Sequence, residues 1–139
     1  MDTYTKVNVT PYEYALHAHI ENIENIKFPK LITYDIFKST LVMEKINGLN
    51  ISDFYGENAK DVPNKVFERI QYIIITLYNN NIIYPDITGY NFILDNIGEV
   101  WIIDFEHAVI SENIKEDIKK YPFVKKFIDG TNEWNPDFL

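Results

Sequence analysis

Asp86, Asn91 and Asp104 are the residues of this 139-residue chain whose types and spacing suit a metal–nucleotide site. All three present side-chain oxygens of the kind that hard divalent cations prefer. Five positions separate Asp86 from Asn91, and thirteen separate Asn91 from Asp104. The longer interval holds an apolar run, a turn at Asn96-Ile97-Gly98 and a second apolar run. The pattern predicts a loop and then a hairpin with strands at Phe92 to Leu94 and Val100 to Ile103. Because a hairpin returns the chain on itself, Asp104 after the second strand is expected beside Asn91 before the first.

Composition narrows the chemistry further. The absence of cysteine removes disulfides, thiolate metal sites and cysteine nucleophiles together, leaving oxygen and nitrogen chemistry. A formal net charge of −8 argues against a nucleic-acid surface, which needs a basic face to displace phosphate counterions. It leaves a nucleotide open, since a cation held by carboxylates can bring the phosphates in. With 46% hydrophobic and 15% aromatic residues, the chain is expected to pack as a globular domain. No apolar run approaches the roughly 18 residues of a membrane span. The N-terminal MDTYTKVNVT lacks the basic-then-apolar order of a secretory signal. An intracellular, cytoplasmic protein without membrane or nucleic-acid partners is therefore expected.

Several elements must position the three residues. Thr10-Pro11-Tyr12-Glu13 reads as a helix start, with Thr10 as cap, Pro11 first and Glu13 where a capping-box acid sits. Leu31 to Phe37 and Thr40 to Ile46 read as antiparallel strands joined by a short polar link. Asn47-Gly48 ends the second, and a short helix from Ile51 to Tyr55 is expected before Gly56. Val66, Phe67, Ile70, Ile73, Ile74, Leu77 and Tyr78 keep a helical period that stops at Asn79-Asn80-Asn81. Past Ala108, a helix from about Asn113 to Pro122 and a short apolar face around Phe127 are expected. Trp134 and Phe138 are expected to dock the tail on the core, and nothing in the tail suggests chemistry. His17 and His19, two apart on a helix, face different directions and do not make a metal pair. His107, next to Glu106, reads as a packing or hydrogen-bonding residue.

The order helix, two strands, glycine, long helix, D-x-x-x-x-N loop, hairpin and D-F resembles the protein-kinase-like family from about Thr10 to Ala108. Tyr84-Pro85-Asp86 with Asn91 is similar to its catalytic loop, and Asp104-Phe105-Glu106 to its metal-binding triplet. LVMEKINGLN, Leu41 to Asn50, is similar to its adenine-holding strand and hinge. The resemblance implies an α+β, minimal protein-kinase-like fold in one domain over 1–139. A truncated upper lobe would cover 1–47 and a reduced helical lower lobe 48–139.

It also implies ATP and Mg²⁺ as cofactors, Asp86 as base, and Asn91 and Asp104 as metal ligands. Met43 would border the adenine, and backbone groups near Glu44 and Ile46 would bond its edge. Glu13 would pair with the phosphate-binding lysine, for which Lys6, the sole lysine ahead of it, is the candidate. The plain alternatives are that Glu13 only completes a helix cap and that Lys6 is a solvated lysine near a frayed terminus. Thr88 resembles the residue of small atypical kinases where many protein kinases have lysine, and is counted with the nucleotide-binding residues. The D-F-E triplet resembles the choline- and aminoglycoside-kinase branch.

The chain also departs from the family. No glycine precedes Gly48, so the phosphate-covering glycine loop is missing, and Pro85 and Glu106 stand where many members have arginine and glycine. The long activation segment and the large helical region after it are missing too. Two functions follow as expectations: a phosphotransferase moving the γ-phosphate to the hydroxyl of an unknown acceptor, or a pseudokinase acting as a nucleotide-binding or protein-interaction module. Truncation on both sides should leave apolar faces, so a homodimer is expected as well.

Overall fold

The computed structural model describes residues 2–138. The outermost positions of the expected domain, 1 and 139, lie outside the described residues. The upper part is an antiparallel sheet of β1 (Thr3–Lys6), β2 (Leu31–Asp35) and β3 (Thr40–Glu44) in the order β1-β3-β2, accompanied by helix α1 (Pro11–Ile20). β1 pairs with Tyr4 opposite Met43 and Lys6 opposite Leu41. Sequence patterning missed this strand, because only Lys6 in it is part-buried and no apolar alternation marks it. Helix α1 starts as expected: the Thr10 hydroxyl accepts the Glu13 N–H at 3.1 Å and Pro11 occupies the first turn.

β2 ends at Asp35, two residues before the expected Phe37. Asp35 Oδ1 accepts the N–H groups of Phe37 and Lys38 at 3.0 and 3.1 Å, a local turn that competes with strand continuation. Ser39, at φ +52°, completes the reversal into β3.

The lower part holds β4 (Gly48–Asn50), α2 (Ile51–Tyr55), α3 (Asn64–Asn79), β5 (Ile82–Ile83), β6 (Phe92–Asp95), β7 (Val100–Ile102), β8 (Val109–Ile110), α4 (Ile114–Asp117) and α5 (Pro122–Ile128). β4, β6 and β7 form a second antiparallel sheet in that order, and β5 pairs with β8. Gly48 opens a strand where a break was expected. It lies opposite Asp95, and a Cβ there would come within 2.2 Å of the Leu94 carbonyl oxygen, so only glycine permits the approach. The expected helix from Asn113 is a single turn, α4, followed by a 3-10 turn over Ile118–Lys120.

Two apolar clusters hold these layers. The larger joins Leu16 and Ile20 of α1 to Phe67, Ile70, Ile74 and Leu77 of α3, to Phe92 and Ile102 of the hairpin, and to Val124 and Phe127 of α5. Trp134 closes it, its ring 4.8 Å from that of Phe67. The smaller cluster, inside the upper sheet, consists of Val9, Leu41 and Met43. Among the described residues no helix is long and apolar enough to cross a membrane.

Candidate active site

The loop that carries Asp86 is built from two successive tight turns. Pro85 O accepts the Ile87 N–H at 2.8 Å, and Asp86 O accepts the Thr88 N–H at 3.0 Å. Asn91, buried at the end of the loop, donates its Nδ2 to the same Asp86 carbonyl at 2.8 Å. Two residues before Asn91, Gly89 packs so closely that an added Cβ would meet Ser52 Oγ at 2.2 Å. Burial raises the pKa of the Asp86 carboxyl; the Asn91 carboxamide partly offsets this, and the nearby charge of Asp104 reinforces it. A carboxylate tuned upward in this way is a better proton acceptor near neutral pH.

The hairpin brings Asp104 round to Asn91. Phe92 pairs with Ile102, and the Ile103 N–H donates to Asn91 O at 3.1 Å, extending the ladder one step beyond the strands. Asp104 Oδ1 then accepts the Glu106 N–H at 3.0 Å. The same oxygen lies 3.0 Å from Lys6 Nζ, which also contacts Glu13 Oε2 at 2.6 Å. Residues from the end of β1, the first turn of α1 and the end of the hairpin thus meet at one cation.

This geometry decides both alternatives left by the sequence. Lys6 is held by a paired strand rather than frayed, and the Glu13 carboxylate turns from the cap to the lysine. The two partners shift in the same direction. Burial alone would lower the Lys6 pKa, but the Glu13 hydrogen bond and the charges of Asp104 and Glu13 hold it above its ordinary value. For Glu13, burial outweighs the lysine and pushes the carboxyl upward. A contact of 2.6 Å between opposite charges favours the ion pair, so the raised lysine is the direction that follows from the geometry.

A cleft of about 390 Å³ opens between the two sheets, and Lys6, Met43, Ile46, Asn91, Ile103 and Asp104 face it. Glu44 also lines it but donates its N–H to Lys30 O, and the Lys45 N–H goes to Asp2 O. The Ile46 N–H has no hydrogen-bond partner among the described residues. Thr88, expected among the nucleotide-binding residues, is buried within the loop and does not line the cleft. Glu13 does not line it either and reaches it through Lys6.

The donor set suits magnesium. Among the described residues no three His, Cys, Asp or Glu side chains gather as a metal cage. Mg²⁺ ordinarily takes one or two protein ligands and completes its shell with phosphate oxygens and water. Asn91 and Asp104, which both line the cleft, are the residues that could hold such an ion.

Other cleft residues escaped notice in the sequence. Asn50, Asp53 and Tyr90 line the far edge, where Asn50 Oδ1 caps α2 by accepting the Asp53 N–H at 2.8 Å. Their sequence signal is that of an ordinary helix cap. The docked tail reaches the loop: Asn135 donates its backbone N–H to Ile87 O at 2.8 Å and its Nδ2 to Pro85 O at 2.7 Å. On this side of the loop, Pro85, His107, Lys120, Phe123, Asp137 and Phe138 border a second hollow of about 420 Å³. His107 packs on Phe138 there, with ring centroids 5.2 Å apart.

Comparison with known proteins places this arrangement in a family. Residues 6–121 match the RIO domain. The chain belongs to the RIO domain family. The match spans Lys6, Glu13, Asp86, Asn91 and Asp104, whereas the D-F-E likeness to the choline- and aminoglycoside-kinase branch gains no support from it. The EKC/KEOPS complex subunit BUD32 of Enterocytozoon bieneusi (strain H348) is 30% identical over 127 residues, covering 82% of this chain and 61% of that protein. The RIO domain described here therefore spans about three fifths of that relative's length. Among solved structures, the Cydia pomonella granulovirus kinase PK-1 superposes with a TM-score of 0.61 at 19% identity, over 79% of this chain and 43% of that one. The fold is accordingly a minimal protein-kinase-like fold.

Proposed function

We propose that this RIO domain is an ATP- and Mg²⁺-dependent phosphotransferase that moves a γ-phosphate to a hydroxyl acceptor. The observation that carries the reading is the meeting of Lys6 with both Glu13 and Asp104 at the mouth of a cleft that Asn91 also faces. Phosphoryl transfer spreads charge over phosphate oxygens, so its catalysis consists mainly of positioning and charge neutralisation. Lys6 supplies positive charge to the phosphates, with Glu13 fixing its direction. Asn91 and Asp104 would hold the metal, which would supply positive charge to neutralise the phosphates. Met43 borders the base and the Ile46 N–H bonds its edge. Asp86, with its raised pKa, orients the acceptor hydroxyl and takes its proton.

The division into an upper lobe, 1–47, and a lower lobe, 48–139, belongs to this proposal, as does an intracellular setting. So does association with protein partners. The name of the BUD32 relative, a complex subunit, supports it, and the exposed Ile36 and Phe37 on the β2–β3 turn offer an apolar contact, with a second copy as the simplest case. The second reading is a pseudokinase that binds nucleotide without turnover; the absence of glycine before Gly48, and hence of a phosphate-covering loop, favours it.

Mg-ATP titration tests the reading. A ligand that binds only the folded state adds about 2.7 kcal/mol of apparent stability at a hundredfold excess over its Kd. The melting temperature is expected to rise with Mg-ATP, more than with ATP and chelator, and Asp104→Ala should abolish the magnesium-dependent part. An unchanged melting temperature at millimolar Mg-ATP, or a shift that Asp104→Ala leaves intact, contradicts it.

A further inference from the structure

We infer that Asn135, in the C-terminal tail and beyond the residues that match the RIO domain, is a positioning residue for Asp86. The inference rests on the phosphotransferase reading above. Two carboxamides hold the backbone on either side of the Asp86 side chain. Pro85 O accepts the Ile87 N–H and Asn135 Nδ2, at 2.8 and 2.7 Å. Asp86 O, the next carbonyl along, accepts the Thr88 N–H and Asn91 Nδ2, at 3.0 and 2.8 Å. Both lone pairs of two consecutive carbonyls are thereby used, one by the loop itself and one by an asparagine from outside the turn.

Asn135 is suited to this task in every polar atom. Its backbone N–H donates to Ile87 O at 2.8 Å, so it bonds the loop on both sides of Asp86. Its Oδ1 accepts the Asp137 N–H at 3.1 Å, and its carbonyl accepts the Phe138 N–H at 3.2 Å. Those partners fix the orientation of the amide, because a carbonyl can only accept and an N–H can only donate. The residue is 3% exposed, so water does not replace these bonds readily. Its neighbour Trp134, 4% exposed and packed on Phe67, anchors the tail where Asn135 can reach the loop. Asn91 faces the nucleotide cleft while Asn135 borders the hollow on the other side, so the tail controls the base without touching the nucleotide.

Asn135→Asp is the discriminating variant. It keeps the shape and the Oδ1 acceptor for the Asp137 N–H, but sets a carboxylate oxygen against the Pro85 carbonyl. Asn135→Ala removes the side-chain bonds outright. Ile73→Ala, in the core of α3 and lining a different hollow with Lys27 and Val100, serves as a variant destabilised away from the loop. Steady-state phosphate transfer from Mg-ATP, well below each melting temperature, should show kcat reduced by up to about a hundredfold in both Asn135 variants. The KM for Mg-ATP should stay within about twofold, and Ile73→Ala should retain kcat. Amide hydrogen exchange should quicken at Ile87 and Thr88 in Asn135→Ala and not in Ile73→Ala.

Unchanged kcat in both Asn135 variants overturns the inference, as does a loss of kcat that Ile73→Ala shares. If the wild type transfers no phosphate, the phosphotransferase reading has failed and exchange alone decides. Faster exchange confined to the loop then supports the clamp, and unchanged exchange overturns it.

Discussion

The two sheets of this RIO domain are built to different standards. The lower one, β4-β6-β7, rests on a continuous core in which Tyr84, Ile87, Phe92, Ile102 and Phe105 are almost wholly buried. These residues bracket Asp86, Asn91 and Asp104 in sequence, so the three oxygen donors sit on backbone that packing over-determines. The upper sheet has only Val9, Leu41 and Met43 fully inside, while Tyr4 and Ile32 face solvent. Lys6 belongs to the edge strand of this thinner sheet. Helix α1 precedes β2 in sequence but is rooted below, through Leu16 and Ile20. The Lys6–Glu13 contact is therefore a joint between a lightly held cation and a firmly held acid. The floor holds Asp86, Asn91 and Asp104 on closely packed backbone, and the roof brings the Lys6 ammonium to Asp104.

Four substitutions probe that contrast. Leu77→Ala, in the deepest part of the floor, should cost about 2–5 kcal/mol in denaturant unfolding. Leu41→Ala should cost less globally and yet reduce the Mg-ATP stabilisation, because it loosens the strand that holds β1. Equal global costs for the two would show that the roof is as deeply rooted as the floor.

His17 tests the seam between them. It is buried against Phe28 and Phe105, and its Nε2 lies 2.7 Å from Pro29 O, so the neutral ring donates there. Burial lowers its pKa from 6.5 to about 4. A base depressed in the folded state binds its proton more readily once unfolded, so folding is favoured above pH 6.5 and loses stability as pH falls through 6.5 toward 4. The full loss is about 3 kcal/mol. Urea unfolding at pH 7 and pH 4.5 should show most of it, and His17→Gln should flatten the dependence; an undiminished slope in that variant would assign the effect elsewhere. The smallest effect is expected at the α1 cap. Thr10→Ala should cost about 1 kcal/mol through the lost bond to the Glu13 N–H, and a cost near zero would mean that the Lys6 joint alone holds the first turn.

Residues in sequential apolar patterns were legible from the sequence, and residues placed by edges or by the tail were not. The stripe of α3, the Thr10 cap, the hairpin and the convergence of Asn91 with Asp104 all follow from local periodicity and turn chemistry. β1 and β4 carry too few buried residues to leave a period, and each exists because a longer strand offers it an edge. Lys6 was placed by resemblance and by being the sole lysine ahead of Glu13; only the pairing of β1 with β3 explains how it reaches Asp104. Asn135 left no signal, since a single asparagine beside Pro136 reads as a turn residue. Its partner carbonyls lie some fifty positions away. Thr88 differs again: the resemblance counted it with the nucleotide-binding residues, and packing turns it into the loop rather than the cleft.

Phosphoryl transfer on the fixed floor, proposed with Asp86 as base, is tested most directly by transfer or release of the γ-phosphate from Mg-ATP by the wild type and by Asp86→Asn, with nucleotide binding followed in parallel. Loss of a positioned general base typically costs about 10²–10⁴-fold. The account predicts wild-type turnover, a loss of that size in Asp86→Asn, and an unchanged Mg-ATP thermal shift in both. Equal rates in the two proteins, or binding without turnover in the wild type, would contradict it.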